Sequence, residues 1–267
     1  MFYHAKNGNL KIDETDMDYI SFGTGKKILV MIPGVGDGLK TAKGMAIPFA
    51  ILYRSFAKDY TVYVFSRKNR LEEGYTTRDM AKDLHRAMSQ LGIDKADIVG
   101  VSQGGMIAQY LAIDFPDIVN KLVLVVTLAK QNEVIQGVIP NWIEMAQKKD
   151  YRNIMVDIAE KSYTEKRLKQ YRPFYFMLGN VGKPKDFSRF LIMAKACMEH
   201  DSYEELGKIT APTLVIGADC DHIVGGKASE EIAECINGSE LKMYHGFGHC
   251  VYEEAKDFNQ VVLEYLA

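Results

Sequence analysis

The chain has almost no charge imbalance, and that lack excludes whole classes of partner. Its 267 residues carry 33 Lys and Arg against 35 Asp and Glu, a net charge of −2. Nothing here forms the basic stripe that nucleic acid or an anionic lipid surface would require, so neither is expected as a partner. Long hydrophobic runs are missing too: no stretch reaches the roughly 20 apolar residues that span a bilayer. The segment Met1-Phe2-Tyr3-His4-Ala5-Lys6-Asn7-Gly8 lacks the apolar run of a secretory signal, so a cytoplasmic location is expected. Cys197, Cys220, Cys235 and Cys250 stand far apart with no C-x-x-C pair. Free thiols in a reducing compartment are expected, with no disulfide framework, no metal site and no cofactor. The sequence shows no internal repeat and no low-complexity stretch.

What is present is a core-forming composition, 47% hydrophobic, over a length that suits one α/β domain carrying an insertion. Residues 1–22 read as two short strands turning at Lys6-Asn7-Gly8-Asn9, an Asn-Gly hairpin signal. Lys27–Ile32 is a continuous apolar run suited to a strand buried on both faces. It ends in the glycine-rich Pro33-Gly34-Val35-Gly36-Asp37-Gly38. Residues 46–57 read as a helix with Ile47, Ile51, Leu52 and Phe56 on one face, and Tyr60–Phe65 as a strand. Arg67, Lys68 and Arg70 follow on what reads as a solvated loop. Thr77–Leu91 is helical, with Met80, Leu84, Ala87, Met88 and Leu91 at helix spacing. Ala96–Val99 and Lys121–Val126 are further strands, separated by a helix that ends at Phe115-Pro116.

Strands alternating with helices imply a mostly parallel central sheet flanked by helices on both faces. The alternation stops between about Leu128 and Gly207, where only helical segments are expected: 140–149, 151–163, 165–178, 186–199 and 202–206. Ser162-Tyr163-Thr164-Glu165 and Ser202-Tyr203-Glu204-Glu205 match the capping-box pattern. The α/β pattern then resumes with a strand at Thr213–Ile216, a helix at 227–236, a strand at Glu240–Tyr244 and a helix from Ala255 to Leu266. The chain thus divides into a core, 1–127 and 208–267, and an all-helical insertion, 128–207.

The chemistry concentrates at strand ends. Gly100-Val101-Ser102-Gln103-Gly104-Gly105 follows a strand and opens a helix, and it reads G-x-S-x-G, the nucleophile-elbow pattern. Such a reversal forces the central residue into a strained backbone. It also requires Gly100 and Gly104 to lack Cβ where strand and helix converge. Ser102 then projects its hydroxyl beside the free N–H groups of a helix N-terminus, which favour a developing oxyanion. The bland alternative is a glycine-rich turn with an incidental serine. Later strand ends carry Asp219-Cys220-Asp221-His222 and Gly246-Phe247-Gly248-His249, where Gly246 and Gly248 show no packing reason. Serine, carboxylate and histidine thus follow strands in that order.

At these residues the chain resembles the α/β-hydrolase fold superfamily, in a serine-nucleophile form with a helical cap, over nearly its whole length. The resemblance rests on Gly100–Gly105, on Ala211-Pro212-Thr213-Leu214-Val215-Ile216 leading to Asp221-His222-Ile223-Val224, and on Gly246–His249. It implies Ser102 as nucleophile, His249 as general base and acid, and Asp221 as the orienting carboxylate. The family acid stands three residues before a small apolar residue; Val224 fits that for Asp221, which leaves Asp219 as the outer carboxylate. The resemblance further implies an oxyanion hole from the backbone N–H groups of Gln103 and Val35. Pro33-Gly34 replaces the His-Gly of many members, and Ser66-Arg67-Lys68-Asn69-Arg70 replaces their Asp-x-Arg-Gly-x-Gly-x-Ser.

The remaining histidines, His4, His85, His200, His222 and His245, read as structural or exposed, and Cys220 and Cys250 as small buried spacers. The insertion is rich in aromatics and methionine, some of which should face Ser102. The function implied is hydrolysis of an ester, thioester or lactone of a small to medium apolar substrate through an acyl-enzyme. The alternatives are carbon–carbon bond hydrolysis with the same three residues, or a small-molecule receptor that keeps them with little turnover. Oligomeric state is not legible.

Overall fold

A computed structural model describes residues 2–179 and 182–267. Eight strands form one sheet: β1 Lys6–Ile12, β2 Thr15–Phe22, β3 Lys27–Ile32, β4 Tyr60–Lys68, β5 Ala96–Val101, β6 Val119–Val125, β7 Thr213–Ala218 and β8 Glu240–Tyr244. Their spatial order is β1-β2-β4-β3-β5-β6-β7-β8. The pairs β1–β2 and β2–β4 are antiparallel, and every later pair is parallel. The apolar runs follow from this position. All of β7 is buried and so is β5 up to Gly100, because crossover helices cover both faces of a parallel sheet. The edge strand β8 instead exposes Glu240, Leu241 and Lys242, and charges there discourage pairing with another chain.

Outside the stretch between β6 and β7, the helices are α1 Ala46–Leu52, α2 Thr77–Gln90, α3 Gln103–Asp114, α8 Ala228–Cys235, α9 Val251–Glu254 and α10 Phe258–Leu266. One core joins α2, α3 and α8 to the sheet through Leu84, Ile107 and Ile232. The other joins α1 and α10 through Ala50, Val262 and Leu266. Between β6 and β7 the described residues hold α4 Glu133–Gln147, α5 Tyr151–Ser162, α6 Glu165–Tyr171 and α7 Ser188–Met198, with 3-10 turns over Arg172–Met177 and Tyr203–Lys208.

Several local expectations are corrected. The Asn-Gly signal is not the hairpin turn: Asn7 and Gly8 pair inside β1 with Ile20 and Tyr19. The chain reverses at Asp13, whose φ is 52°. Gly8 is there because the Tyr19 ring lies across it; an added Cβ would meet Tyr19 Cζ at 2.1 Å. Helix α1 is shorter than expected, and Phe56, beyond its end, is buried. The helix buries Ala46 and Ala50, while Ile47, Ile51 and Leu52 are each about half exposed.

Helix α4 begins at Glu133, not 140. The Asn132 side chain accepts from the Ile135 N–H and caps it, so Pro140 lies mid-helix rather than in the first turn where proline is favoured. Neither capping-box match is one. Ser162 closes α5, and Thr164 caps α6 by accepting from the Arg167 N–H. Ser202 gives its hydroxyl to Gln109 Oε1 instead, at 2.5 Å. The reciprocal box is at Thr76 and Asp79, where α2 starts.

Candidate active site

Ser102 sits between β5 and α3 with φ 55° and ψ −122°, a conformation that costs a non-glycine residue about 1–3 kcal/mol. Its neighbours hold it there. Ser102 N–H donates to Val125 C=O at 2.9 Å, and the Thr127 hydroxyl donates to Ser102 C=O at 2.7 Å. The two elbow glycines answer to different neighbours. A Cβ on Gly100 would stand 2.5 Å from Gly104 O, whereas one on Gly104 would stand 1.9 Å from Ile32 O, at the end of β3. Gly104 therefore lets the loop after β3 close on the turn. Gly34 of that loop would touch the Ser102 Cβ at 3.2 Å if it carried a side chain.

Among the described residues, the N–H groups of Val35 and Gln103 donate to no protein acceptor. Each opens a short helical segment, so each points outward with no intrahelical partner. Free donors beside a strained serine are what an oxyanion would require.

His249 and Asp221 meet in a buried pair, with imidazole Nδ1 2.7 Å from Asp221 Oδ2. The other carboxylate oxygen accepts from Ile223 N–H at 2.8 Å and Val224 N–H at 3.0 Å. Burial alone would raise the Asp221 pKa. The His249 imidazole and these backbone donors outweigh burial and hold it below the ordinary carboxylate range. Asp219 faces away: it bonds His245 Nδ1 at 3.0 Å and Gly246 N–H at 2.7 Å. With Asp221 at Nδ1, Nε2 is the imidazole nitrogen left for Ser102. Ser102 and His249 line one cavity, but no hydrogen bond joins them, a looseness common before substrate tightens such a site.

Two loop expectations are corrected by packing. Gly248 does have a packing reason, since a Cβ on it would lie 2.6 Å from Ser162 O at the end of α5. Gly246 adopts φ 74°. Cys220 is exposed rather than a buried spacer, while Cys250 is buried.

The expected solvated loop is in part strand: Lys68 closes β4 and pairs with Asp83 at 2.9 Å, and the larger departure is Arg67. It belongs to β4, not to a solvated loop, and is 4% exposed. Its guanidinium donates to Pro33 C=O and, at 3.2 Å, to Gln103 Oε1. Asp37 accepts from Arg67 N–H at 3.0 Å and also pairs with Arg189 of α7. Burial lowers the Arg67 pKa to about 10, against the opposing pull of Asp37, so the group stays charged at neutral pH. The Gln103 amide then reaches α7, donating to Met193 C=O at 2.6 Å and to Cys197 Sγ at 3.0 Å. One buried network thus ties the loop after β3, the start of α3 and helix α7 together. No periodicity marks it, because it joins residues far apart in sequence.

The cavity measures about 320 Å³. Val35, Met45, Met106, Ile139, Trp142 and Ile158 are among its apolar lining, and Asp37, Lys40 and Thr41 give it one polar wall. Of the aromatics in 128–207, Trp142 lines it, its indole N–H held by Asp157 Oδ2 at 2.6 Å. Among the described residues no three of His, Cys, Asp and Glu gather as a metal site requires. No helix among them is long and apolar enough to cross a membrane.

A strained serine and a histidine held by a buried carboxylate, set on one largely apolar cavity, form a constellation that a hydrolase can use. Comparison with known proteins agrees. The profile of the alpha/beta hydrolase fold family matches residues 27–256, and the chain belongs to that family. It is 27% identical to a 2-hydroxy-6-oxononadienedioate/2-hydroxy-6-oxononatrienedioate hydrolase of Klebsiella pneumoniae, over 92% of this chain and 88% of that one. A stretch of 107 residues is 33% identical to a protein of Cronobacter sakazakii named for carbamate hydrolysis, covering 38% of this chain and 37% of that one. Among solved structures, an alpha/beta hydrolase enzyme from a Medee basin deep-sea metagenome library superposes with a TM-score of 0.86 at 21% identity, covering 97% of each chain.

Proposed function

We propose that this hydrolase cleaves an ester, thioester or lactone of a small to medium apolar substrate through an acyl-enzyme on Ser102. The observation that carries this reading is Ser102 at φ 55°, sharing a cavity with a His249 that Asp221 holds at 2.7 Å. Ser102 Oγ attacks the substrate carbonyl and passes its proton to His249 Nε2. The new oxyanion accepts from the N–H groups of Gln103 and Val35. The tetrahedral adduct expels the leaving group, which takes the proton from His249. Water then attacks the acyl-serine with His249 again as base, His249 returns that proton to Ser102 Oγ as the acyl bond breaks, and the acid departs. Asp221 stabilises the imidazolium at each turn without taking its proton. Residues 128–207 act as a cap over this chemistry, supplying Trp142, Ile158 and Cys197 to the cavity.

Carbon–carbon bond hydrolysis is the second reading, favoured by the name of the Klebsiella relative, whose match runs through most of both chains. Labelling with a fluorophosphonate, followed by turnover of an ester panel and of a vinylogous 1,5-diketone, tests both. Labelling at Ser102 with ester turnover supports the first reading. Turnover of the diketone alone transfers the function to the second. Labelling that survives Ser102→Ala at the wild-type rate removes Ser102 from either.

A further inference from the structure

A second cavity of about 370 Å³ adjoins the first. Met155 and Ala159 of α5, together with Tyr163, Tyr171, Phe174 and Tyr175, form its sides. Ile158, Cys250 and Tyr252 line both cavities, so those three side chains are a common wall. The wall is uncharged at neutral pH: burial, and then Glu253, push the Cys250 thiol up to about 12. Cys250 Sγ lies 3.6 Å from Tyr252 Oη, and the Tyr163 hydroxyl donates to Glu253 Oε2 at 2.6 Å. The Glu253 carboxylate, which also lines this compartment, is taken up by Tyr163, while the buried Tyr175 hydroxyl has no hydrogen-bond partner. Most of the remaining lining is apolar, with Met155, Ile158, Ala159, Phe174 and Leu178 contributing thioether, aliphatic carbon and a ring. Each cavity alone is at the small end of ligand sites, which run from roughly 300 to 1,000 Å³.

The wall also has a side. Cys250 follows His249 directly and Tyr252 stands three residues after it; Cys250 N–H donates to Ser162 C=O at 2.9 Å, which anchors that stretch of chain to the end of α5. Two of the wall's three side chains are thus carried by the stretch of chain that carries His249, which sets the wall beside the histidine. In acyl transfer the histidine hands its proton to the departing group, so the leaving group extends to that side and the acyl part to the other.

The geometry points to a second subsite: the outer cavity takes the apolar alkyl or aryl end of the leaving group, which passes the wall at Ile158 and Tyr252. This rests on the acyl-enzyme reading for its polarity, and it predicts preference for esters of long or aromatic alcohols over esters of equally long acids.

Two isomeric probes, hexyl acetate and methyl heptanoate, separate the arms. Binding is measured by calorimetry to Ser102→Ala protein, so that no turnover intervenes, with ethyl acetate as the short reference. The outer cavity is filled by Ala159→Phe, with Met155→Trp as the second variant if the first does not fold. Burying a methylene is worth about fourfold in affinity, so loss of two or more methylene sites should weaken hexyl acetate at least tenfold. Methyl heptanoate and ethyl acetate should stay within twofold. Equal weakening of both long esters, weakening of methyl heptanoate alone, or no change in either overturns the proposal. So does hexyl acetate binding no tighter than ethyl acetate before the cavity is filled. A wild-type chain that turns over none of these esters counts against the acyl-enzyme reading alone, since the binding comparison needs no chemistry.

Discussion

Gly248 and Ser162 are in backbone contact: a β-carbon on the first would lie 2.6 Å from the carbonyl oxygen of the second. The same carbonyl accepts from Cys250 N–H. The chain on both sides of His249 is therefore seated on the last turn of α5, an element inserted between two sheet strands. The position of the histidine is set jointly by the loop after β8 and by that insertion.

Gly248→Ala should displace the histidine loop while leaving the sheet intact. A shift of about 1 Å at a reacting group can cost on the order of 10² in rate, so kcat/KM should fall by about that factor. Circular dichroism should keep its shape, with the thermal midpoint lowered by no more than an overpacking cost of about 1–3 kcal/mol implies. Wild-type kcat/KM in this variant would show that the loop takes up the methyl without moving His249.

Asp221→Asn should lower kcat by about 10⁴, since the amide favours the wrong imidazole tautomer. Asp219→Asn, whose carboxylate serves His245 and Gly246, should cost less than tenfold. The reverse ranking in steady-state kinetics would reassign the orienting acid.

Gly104→Ala should destabilise the fold by about 3 kcal/mol or more, at the upper end of overpacking costs. The clashing atom is the backbone oxygen of Ile32, 1.9 Å from the new Cβ, and a backbone atom inside a sheet cannot swing aside. Urea unfolding measures this; a loss under 1 kcal/mol would mean β3 and α3 are not pinned together.

Arg67→Met leaves Pro33 C=O and Gln103 Oε1 without their buried donor and Asp37 with Arg189 as its remaining cation. Breaking such a buried pair typically costs about 3–5 kcal/mol. Arg67→Lys should recover only part of it, because an ammonium cannot reproduce the planar fork. Denaturant melts of the two variants give the ranking, and equal stability of Met and wild type would refute it.

Acid should weaken the fold through His200. Its ring is 1% exposed, between Thr77 Oγ1 at 2.9 Å and Gln109 Oε1 at 3.2 Å. Burial depresses its pKa to about 3, against about 6.5 in an unfolded chain. Below about pH 6.5 the unfolded state binds the proton and the folded state does not. Stability is therefore full above that pH and declines as pH falls toward the folded value, by at most about 1.4 kcal/mol per pH unit. Between pH 6.5 and 5 the loss from this group should be on the order of 1–2 kcal/mol. Urea unfolding across that range should show a flatter slope for His200→Gln than for wild type; identical slopes would clear His200.

The alternation of apolar runs with helical periodicity, read along the chain, determined the α/β sheet, its mostly parallel pairing and the helical stretch between β6 and β7. Those features follow from local hydrophobic patterning and from the handedness of crossovers, which sequence carries directly. The positions of Ser102, Asp221 and His249 at strand ends were equally legible, because G-x-S-x-G and the post-strand loops are local. Other features were decided only when distant segments met. Gly8 is a strand residue because the Tyr19 ring covers it, not a turn. Arg67 is buried because Asp37, Gln103 and Arg189 gather around it from three other elements. Among the aromatics of 128–207, the structure brings Trp142 to the cavity that Ser102 lines. Gly248 answers to a helix more than 80 residues earlier in the chain. Each of these depends on side chains and backbone brought together across the fold, where burial, close approach and charge pairing override the propensity of any single segment.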